Sequence, residues 1–280
     1  MPSPLLAACM LGTAFIGAGL DQRLAERVYR VPTRKLKTAA RPVRACVLSD
    51  LHDIAWGKSQ SLLLPRIHAG QPDLILLAGD IFESGSDMQN ALCLLDGLDR
   101  AVPAFFVSGS HDIVTWRMPQ IRRALESRGI AVLRNERHTL LVRGERIDIT
   151  GVDEPFQGFV QGIDRQATGL WYDQKLAALP PPKPEHFSLL LAHRPERAPQ
   201  YAAMGYDLSV TGHAHGGQVR LPLVMNGLYA PNQGLFPRYG GGLYRVGDLT
   251  HIVSRGLHRA WTRPRFFNRP ELVFIDIVKE

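Results

Sequence analysis

Aspartates and histidines in this chain recur at one kind of place, directly after short runs of apolar and β-branched residues. Asp50 and His52 follow Val43–Ser49 in Ser-Asp-Leu-His-Asp, and Asp80 follows Leu74–Ala78 in Ala-Gly-Asp-Ile-Phe-Glu. His111 and Asp112 follow Ala104–Ser108 in Ser-Gly-Ser-His-Asp. His193 follows Ser-Leu-Leu-Leu-Ala, and His213 and His215 follow Leu-Ser-Val-Thr in Thr-Gly-His-Ala-His-Gly-Gly-Gln. Neutral imidazoles and carboxylates suit borderline divalent ions such as zinc, manganese and iron, and a set without thiolate disfavours a structural zinc site. A carboxylate between two cations can bridge them, and a two-metal clamp about 3.5–4 Å across binds phosphate oxygens while generating hydroxide from water. The chemistry expected of this set is metal-assisted hydrolysis.

These side chains meet only if the runs before them are strands whose carboxyl ends share one edge, which is where open α/β sheets bind ligands. Val43–Ser49, Leu74–Ala78, Ala104–Ser108, Phe187–Ala192 and Leu208–Thr211 read as buried strands, each continuously apolar. Ser61–Ala69, Met88–Leu98, Pro119–Arg128 and Ala198–Met204 carry helical spacing. Thr139–Val142 and Arg146–Gly151 flank a Gly-Glu turn as a hairpin, and Leu243–Val246, His251–Val253 and Leu272–Val278 supply later strands. The periodicity alone gives an α/β protein with one catalytic domain. Glycines beside nearly every candidate ligand (Gly79, Gly109, Gly212, Gly216, Gly217) fit tight turns where backbone and ligand approach closely.

The series Asp-x-His, Gly-Asp, Gly-x-His-Asp, a lone His after a strand, and Gly-His-x-His resembles the five-block signature of calcineurin-like metallophosphoesterases, in order over residues 50–215. Thr-Gly-His-Ala-His-Gly-Gly-Gln-Val-Arg-Leu-Pro, Tyr-Ala-Pro-Asn-Gln-Gly-Leu-Phe and Val-Ser-Arg-Gly-Leu are similar to the bacterial membrane-associated branch that includes the YkuE- and YaeI-type phosphodiesterases. The resemblance implies a four-layer α/β/β/α sandwich, two divalent metal ions (manganese, zinc or iron), and a catalytic domain over residues 43–280. Asp50, His52, Asp80 and His215 would hold one metal. Asp80 as the bridge, His193 and His213 would hold the second. His111 would protonate the leaving oxygen or stabilise transition-state charge, with Asp112 orienting its ring. The family has Asn where Ser110 stands, and the Asn carbonyl is a ligand to the second metal; a serine hydroxyl is a shorter, weaker ligand, so a looser second metal is expected.

A lone Asp or His after a strand is ordinarily a capping or locally bonded loop residue, and only the coincidence of five blocks reverses that reading. Asp53 and Glu83 read as turn or N-cap residues. His68, His138, His186, His251 and His258 read as exposed or locally bonded. Arg255, Arg259, Arg263, Arg265 and Arg269, with Trp261, Phe266 and Phe267, read equally as a surface for an anionic head group or as a solvated loop with anchored aromatics.

The 280 residues are 45% hydrophobic, which suits a buried core, and carry a formal charge of +7. Residues 21–44 hold eight basic side chains against two acidic ones, so the rest of the chain is close to neutral. A nucleic-acid face is therefore a poor fit. Ahead of this collar lies Pro4–Leu20, uncharged and apolar, at the short limit of the roughly 17–25 residues that span a bilayer. Residues 1–20 are expected to be a membrane anchor and 21–42 a basic juxtamembrane linker, with the catalytic domain on the cytoplasmic side because the basic residues follow the apolar run. A cleaved signal is disfavoured, since no basic segment precedes the apolar one. Cys9, Cys46 and Cys93 are too scattered for a disulfide framework or thiolate metal site. The expected substrate is a phosphorylated small molecule or a lipid-linked phosphodiester or pyrophosphate. The rival readings are a nuclease or nucleotide phosphodiesterase, and a membrane-anchored metal-binding scaffold in which Ser110 has disabled the second site.

Overall fold

The computed structural model describes residues 4–154, 165–259 and 265–280. In chain order the strands are β1 (Ala25–Thr33), β2 (Val43–Leu48), β3 (Leu74–Ala78), β4 (Ala104–Val107), β5 (Ile130–Val132), β6 (Arg137–Val142) and β7 (Glu145–Gly151). They continue with β8 (Phe187–Leu191), β9 (Leu208–Thr211), β10 (Tyr229–Ala230), β11 (Gly234–Leu235), β12 (Gly242–Val246), β13 (Leu249–Val253) and β14 (Glu271–Lys279). One six-stranded sheet runs β1-β14-β2-β3-β4-β5 and the other β12-β13-β9-β8-β7-β6, both mixed.

The expected buried strands show no alternation because both their faces are covered. On one face of the first sheet, Val43, Ala45, Val47, Leu74, Leu76 and Phe105 meet Ile147, Ile149, Leu189, Leu191 and Val210 of the second. The other face of the first sheet, through Cys46, Leu48, Ile75, Leu77 and Phe106, packs on helices α2 (Leu64–Ala69), α3 (Gln89–Asp96) and α5 (Met118–Glu126). The short helix α4 (Ser110–Val114) follows β4 directly. The outer face of the second sheet, through Leu190, packs against Tyr172 and Leu176 of α6 (Arg165–Ala177) and Tyr201 of α7 (Ala198–Ala203). The layers are therefore α/β/β/α, as the resemblance implies.

The N-terminal expectation needs correction. Residues 21–42 are not a linker throughout: β1 lies inside that range and pairs parallel with β14 from Ala25↔Glu271 to Thr33↔Lys279. Sequence hides this strand because its outward residues are charged, with only Ala25, Val31 and Thr33 buried. Ahead of it, α1 (Pro4–Gly19) is apolar all round. Among the described residues no helix is long and apolar enough to cross a membrane.

Past β1, a single carboxylate ties the chain to the second sheet. Glu145 Oε1 accepts the backbone N–H groups of Lys37 (2.8 Å), Thr38 and Ala39 (2.7 Å) and the Thr38 hydroxyl (2.9 Å). Removing an acceptor this well used strands several donors, at about 1–3 kcal/mol. Glu145→Ala is expected to lower Tm by about 3 °C or more by differential scanning calorimetry; an unchanged Tm would show the tie to be dispensable.

Candidate metal centre

The parallel strands of both sheets bring their carboxyl ends to one edge, so the loops after β2, β3, β4, β8 and β9 face each other. Five of the residues there take the left-handed backbone conformation: Asp50 (φ 50°), His52 (φ 50°), Asp80 (φ 53°), His213 (φ 68°) and His215 (φ 47°). Each such non-glycine residue is strained by about 1–3 kcal/mol and persists only where packing over-determines it. Two glycines make room. A Cβ on Gly79 (φ 85°) would sit 2.5 Å from His193 Nδ1, and one on Gly109 would sit 2.2 Å from Asp80 Oδ1.

Asp80 is central to the cluster. Its Oδ1 accepts the His111 backbone N–H at 2.7 Å. Its Oδ2 lies 3.1 Å from His193 Nε2 and 3.8 Å from His52 Nε2. Three groups of ligand atoms close enough to share an ion result: Asp50, His52 and His215; His52, Asp80 and His111; and Asp80, His193 and His213. Backbone bonds aim these side chains. Asp50 accepts the His213 N–H at 3.0 Å, and His193 Nδ1 donates to the Ala78 carbonyl at 2.7 Å, turning Nε2 inward.

The donors fit divalent cations. Asp80 Oδ2 and His52 Nε2 are buried, face each other and lack a hydrogen-bond partner. Such pairs of orphaned atoms are rare unless a ligand completes them. The set is nitrogen and oxygen only, as zinc, manganese or iron accept. The electrostatics agree. Burial alone would raise Asp80, but His193, His52 and His111 hold it well below the usual carboxylate range. Burial opposes protonation of His193, yet Asp80 and Asp50 push it up to about 10. Burial and the neighbouring imidazoles hold His213 and His215 well below the usual histidine range. Without a cation, the buried negative charge draws a proton onto one imidazole.

Several sequence expectations change. Asp112 does not touch the His111 ring: its carboxylate accepts the backbone N–H groups of Asp80, Phe82 and Gly109, each at 2.8 Å. Burial and the Asp80 charge push Asp112 up to about 7. It fixes the loops, and Glu83 orients the ring. Glu83 Oε1 accepts from His111 Nδ1 at 2.9 Å while Oε2 accepts from His52 Nδ1 at 2.7 Å. Glu83 also fills the expected turn role, its Oε1 accepting the Ser84 N–H at 3.0 Å and its carbonyl the Ser86 hydroxyl at 3.0 Å, so the two imidazole contacts extend that reading. Its signal was its place three residues after Asp80. Ser110 opens α4, half-buried beside His111. Asp53 does act as a cap, accepting the Ala91 N–H of α3 at 2.7 Å.

His258, read as exposed or locally bonded, is buried with its ring 4.8 Å from that of His52 and 5.8 Å from that of His215. Asn232, between β10 and β11, places Nδ2 3.0 Å from His213 Nε2. His258 lies five residues past β13, and Asn232 follows β10, a strand of only two residues that leaves no apolar run in the sequence. The C-terminal arginines are mostly structural: Arg255 pairs with Glu271, and Arg265 donates to the Arg255 carbonyl. Arg259 covers the Trp56 ring at 4.3 Å, and Arg269 donates to the Arg23 carbonyl. Arg263 and Trp261 lie outside the described residues.

The family model for calcineurin-like phosphoesterase matches residues 43–217. Phosphodiesterase YaeI of Escherichia coli is 30% identical over 251 residues, 86% of this chain and 84% of that protein. The uncharacterized metallophosphoesterase YkuE of Bacillus subtilis is 30% identical over 239 residues, 82% of this chain and 77% of that protein. A Bos taurus transmembrane protein with a metallophosphoesterase domain is 27% identical over 265 residues, 89% of this chain and 56% of that protein.

Glu83→Gln keeps the shape but loses the charge that holds both imidazole N–H groups. Outer-shell partners of this kind are worth about 10–100-fold in metal affinity or activity. Manganese titration calorimetry on the folded variant should show a loss in that range; affinity and turnover both equal to wild type would refute the bridging role.

Proposed function

The chain belongs to the calcineurin-like phosphoesterase family, and from that premise we propose that it is a dinuclear metal-dependent hydrolase of phosphodiesters or pyrophosphates, with a lipid-linked substrate. The observation that carries the proposal is the buried Asp80 Oδ2, 3.1 Å from His193 Nε2 and 3.8 Å from His52 Nε2, the latter a buried nitrogen with no hydrogen-bond partner. One carboxylate oxygen there serves two ligand sets. Asp50, His52, Asp80 and His215 would hold one ion, and Asp80, His193 and His213 the other, with Ser110 at the edge of the second. The metals, as manganese, zinc or iron, would polarise the phosphate and lower the pKa of water to supply the nucleophile.

The remaining work belongs to the protein. The His111 side chain is one-quarter exposed at the mouth of the site, its Nδ1 held by Glu83. That bond fixes the ring so that the opposite nitrogen, Nε2, can deliver a proton to the departing oxygen. Asp112 pins Gly109 and Asp80, so the His111 loop and the bridging carboxylate keep one spacing. A diester is favoured over a monoester by the likeness to YaeI, which is named a phosphodiesterase. The lipid-linked reading is supported by the apolar α1 and the basic residues that follow it. The same order of charges supports membrane attachment with the catalytic domain on the cytoplasmic side.

Metal analysis on protein purified without chelators, paired with turnover of bis-p-nitrophenyl phosphate in manganese, tests the reaction. Two metals per chain are expected, with metals and turnover both lost in Asp80→Ala. His111→Asn should keep the metals and lower kcat by about 10²–10⁴-fold. One metal or none, with no turnover at any manganese level, would overturn the hydrolase; recovery of both by Ser110→Asn would assign the defect to the second site.

A further inference from the structure

Beside the metal cluster, residues 219–236 form a loop whose backbone is well pinned and whose large apolar side chains face solvent. Val219 bridges to Phe266, and Leu221 pairs with Met225 to close a tight turn. The Leu228 N–H donates to the Val219 carbonyl at 2.8 Å, and the Phe236 N–H donates to the Leu228 carbonyl at 2.8 Å. On this frame Leu223 is fully exposed, Val224 81%, Leu235 66% and Phe236 68%. Leu223 and Phe236 also take left-handed backbone (φ 66° and 54°), a strained state for bulky side chains. Soluble proteins rarely hold clustered apolar side chains in water without a partner for them.

Two observations identify the partner. The first is continuity with the apolar N-terminal helix. Phe266, joined to Val219, packs edge-on against Phe15 of α1, and the Phe267 N–H donates to the Gly19 carbonyl. Met10, Phe15, Ile16 and Leu20 add further exposed apolar surface there. The second is charge. Between Asp207 and Glu271 the only acid is Asp248, whereas half-buried Arg220 lies in the loop, exposed Arg238 follows it, and exposed Arg27 and Arg30 follow α1, Arg23 being already paired with Asp21. An apolar tip rimmed by arginines is suited to an interface of acyl chains and anionic head groups.

We propose that the 219–236 loop docks Leu223, Val224, Leu235 and Phe236 into an anionic bilayer beside α1, bringing the metal cluster to head-group level. The link to the site is Asn232, on the same loop, with its amide 3.0 Å from His213 Nε2. The outer side of the loop meets lipid while its inner side touches a candidate ligand, so a phosphate at the membrane surface reaches the cluster without its lipid leaving the bilayer. The inference deepens the lipid-linked reading above and rests on it for its purpose, while its physical basis is a separate set of residues.

The test uses the full manganese-loaded chain with Cys9→Ser and Cys93→Ser, leaving buried Cys46. A nitrobenzoxadiazole dye is attached through Leu223→Cys, Phe236→Cys or, as a control on the far edge strand β6, Leu141→Cys. With phosphatidylcholine–phosphatidylglycerol vesicles, the 223 and 236 labels should shift to shorter wavelength and be quenched by doxyl lipids, whereas the 141 label stays aqueous. Leu223→Asp in the otherwise native chain should weaken vesicle partitioning by about tenfold or more. Labels that stay aqueous on vesicle-bound chain, or a chain that does not bind vesicles, would overturn the docking. A shift without vesicles that grows with protein concentration would overturn it in favour of self-association. Turnover of soluble bis-p-nitrophenyl phosphate on the same preparations judges the hydrolase separately, since the dye reads out lipid contact whether or not the enzyme turns over.

Discussion

The site depends on an unfavourable arrangement: two carboxylates, Asp50 and Asp80, fully buried within one constellation of imidazoles. Burying a carboxylate is costly unless a positive charge or several donors answer it. Both oxygens of Asp50 accept the His213 backbone N–H, at 3.0 and 3.3 Å, while Asp80 accepts that of His111 through Oδ1 and leaves Oδ2 turned to the imidazoles. A cation is the natural complement. Asp80 and Asp50 likewise push His193 toward its protonated form.

The second layer of contacts turns that arrangement into defined directions. Glu83 holds His52 and His111 with its two oxygens, so a candidate metal ligand and the proposed proton donor share one anchor. Asp112 lies beneath, binding the backbone of the loops that carry Asp80 and Gly109. The two carboxylates divide the labour by environment. Glu83, partly exposed and bonded to two imidazoles, is held well below its ordinary pKa, whereas Asp112, buried and near Asp80, is pushed up. A displacement of the His111 turn would therefore move Asp80 through their shared N–H to Oδ1 bond, which makes metal spacing and acid placement one variable.

What the sequence discloses follows from how local each signal is. Asp50, His52, Asp80, His193, His213 and His215 sit at strand ends, so apolar runs and short spacings suffice to find them. Glu83 was legible as a carboxylate near the cluster, but its two partners lie 31 and 28 residues away, and only tertiary structure shows that it reaches both. His258 and Asn232 come from loops whose paths have no periodicity. β1 escaped notice because an edge strand with charged outward residues lacks the apolar run that marks the central strands. The arginine tail misled in the opposite way: its composition suits an anion-binding surface, yet Glu271, backbone carbonyls and the Trp56 ring take up Arg255, Arg265, Arg259 and Arg269. Composition counts charges and says nothing of which are already answered.

Replacing a linker by β1 changes how the N-terminal helix can act. Nine paired residues fix Ala25–Thr33 against β14, leaving only residues 20–24 between α1 and the sheet. The Phe267 N–H bond to the Gly19 carbonyl and the Phe15 contact with Phe267 close that gap further. A flexible tether of some twenty residues would let the domain sample many orientations at a surface, with a reach growing only as the square root of its length. A helix braced on Phe266 and Phe267 instead keeps one orientation relative to the sandwich. The 219–236 loop shares that brace through Val219, so helix, loop and metal cluster are parts of one packed unit.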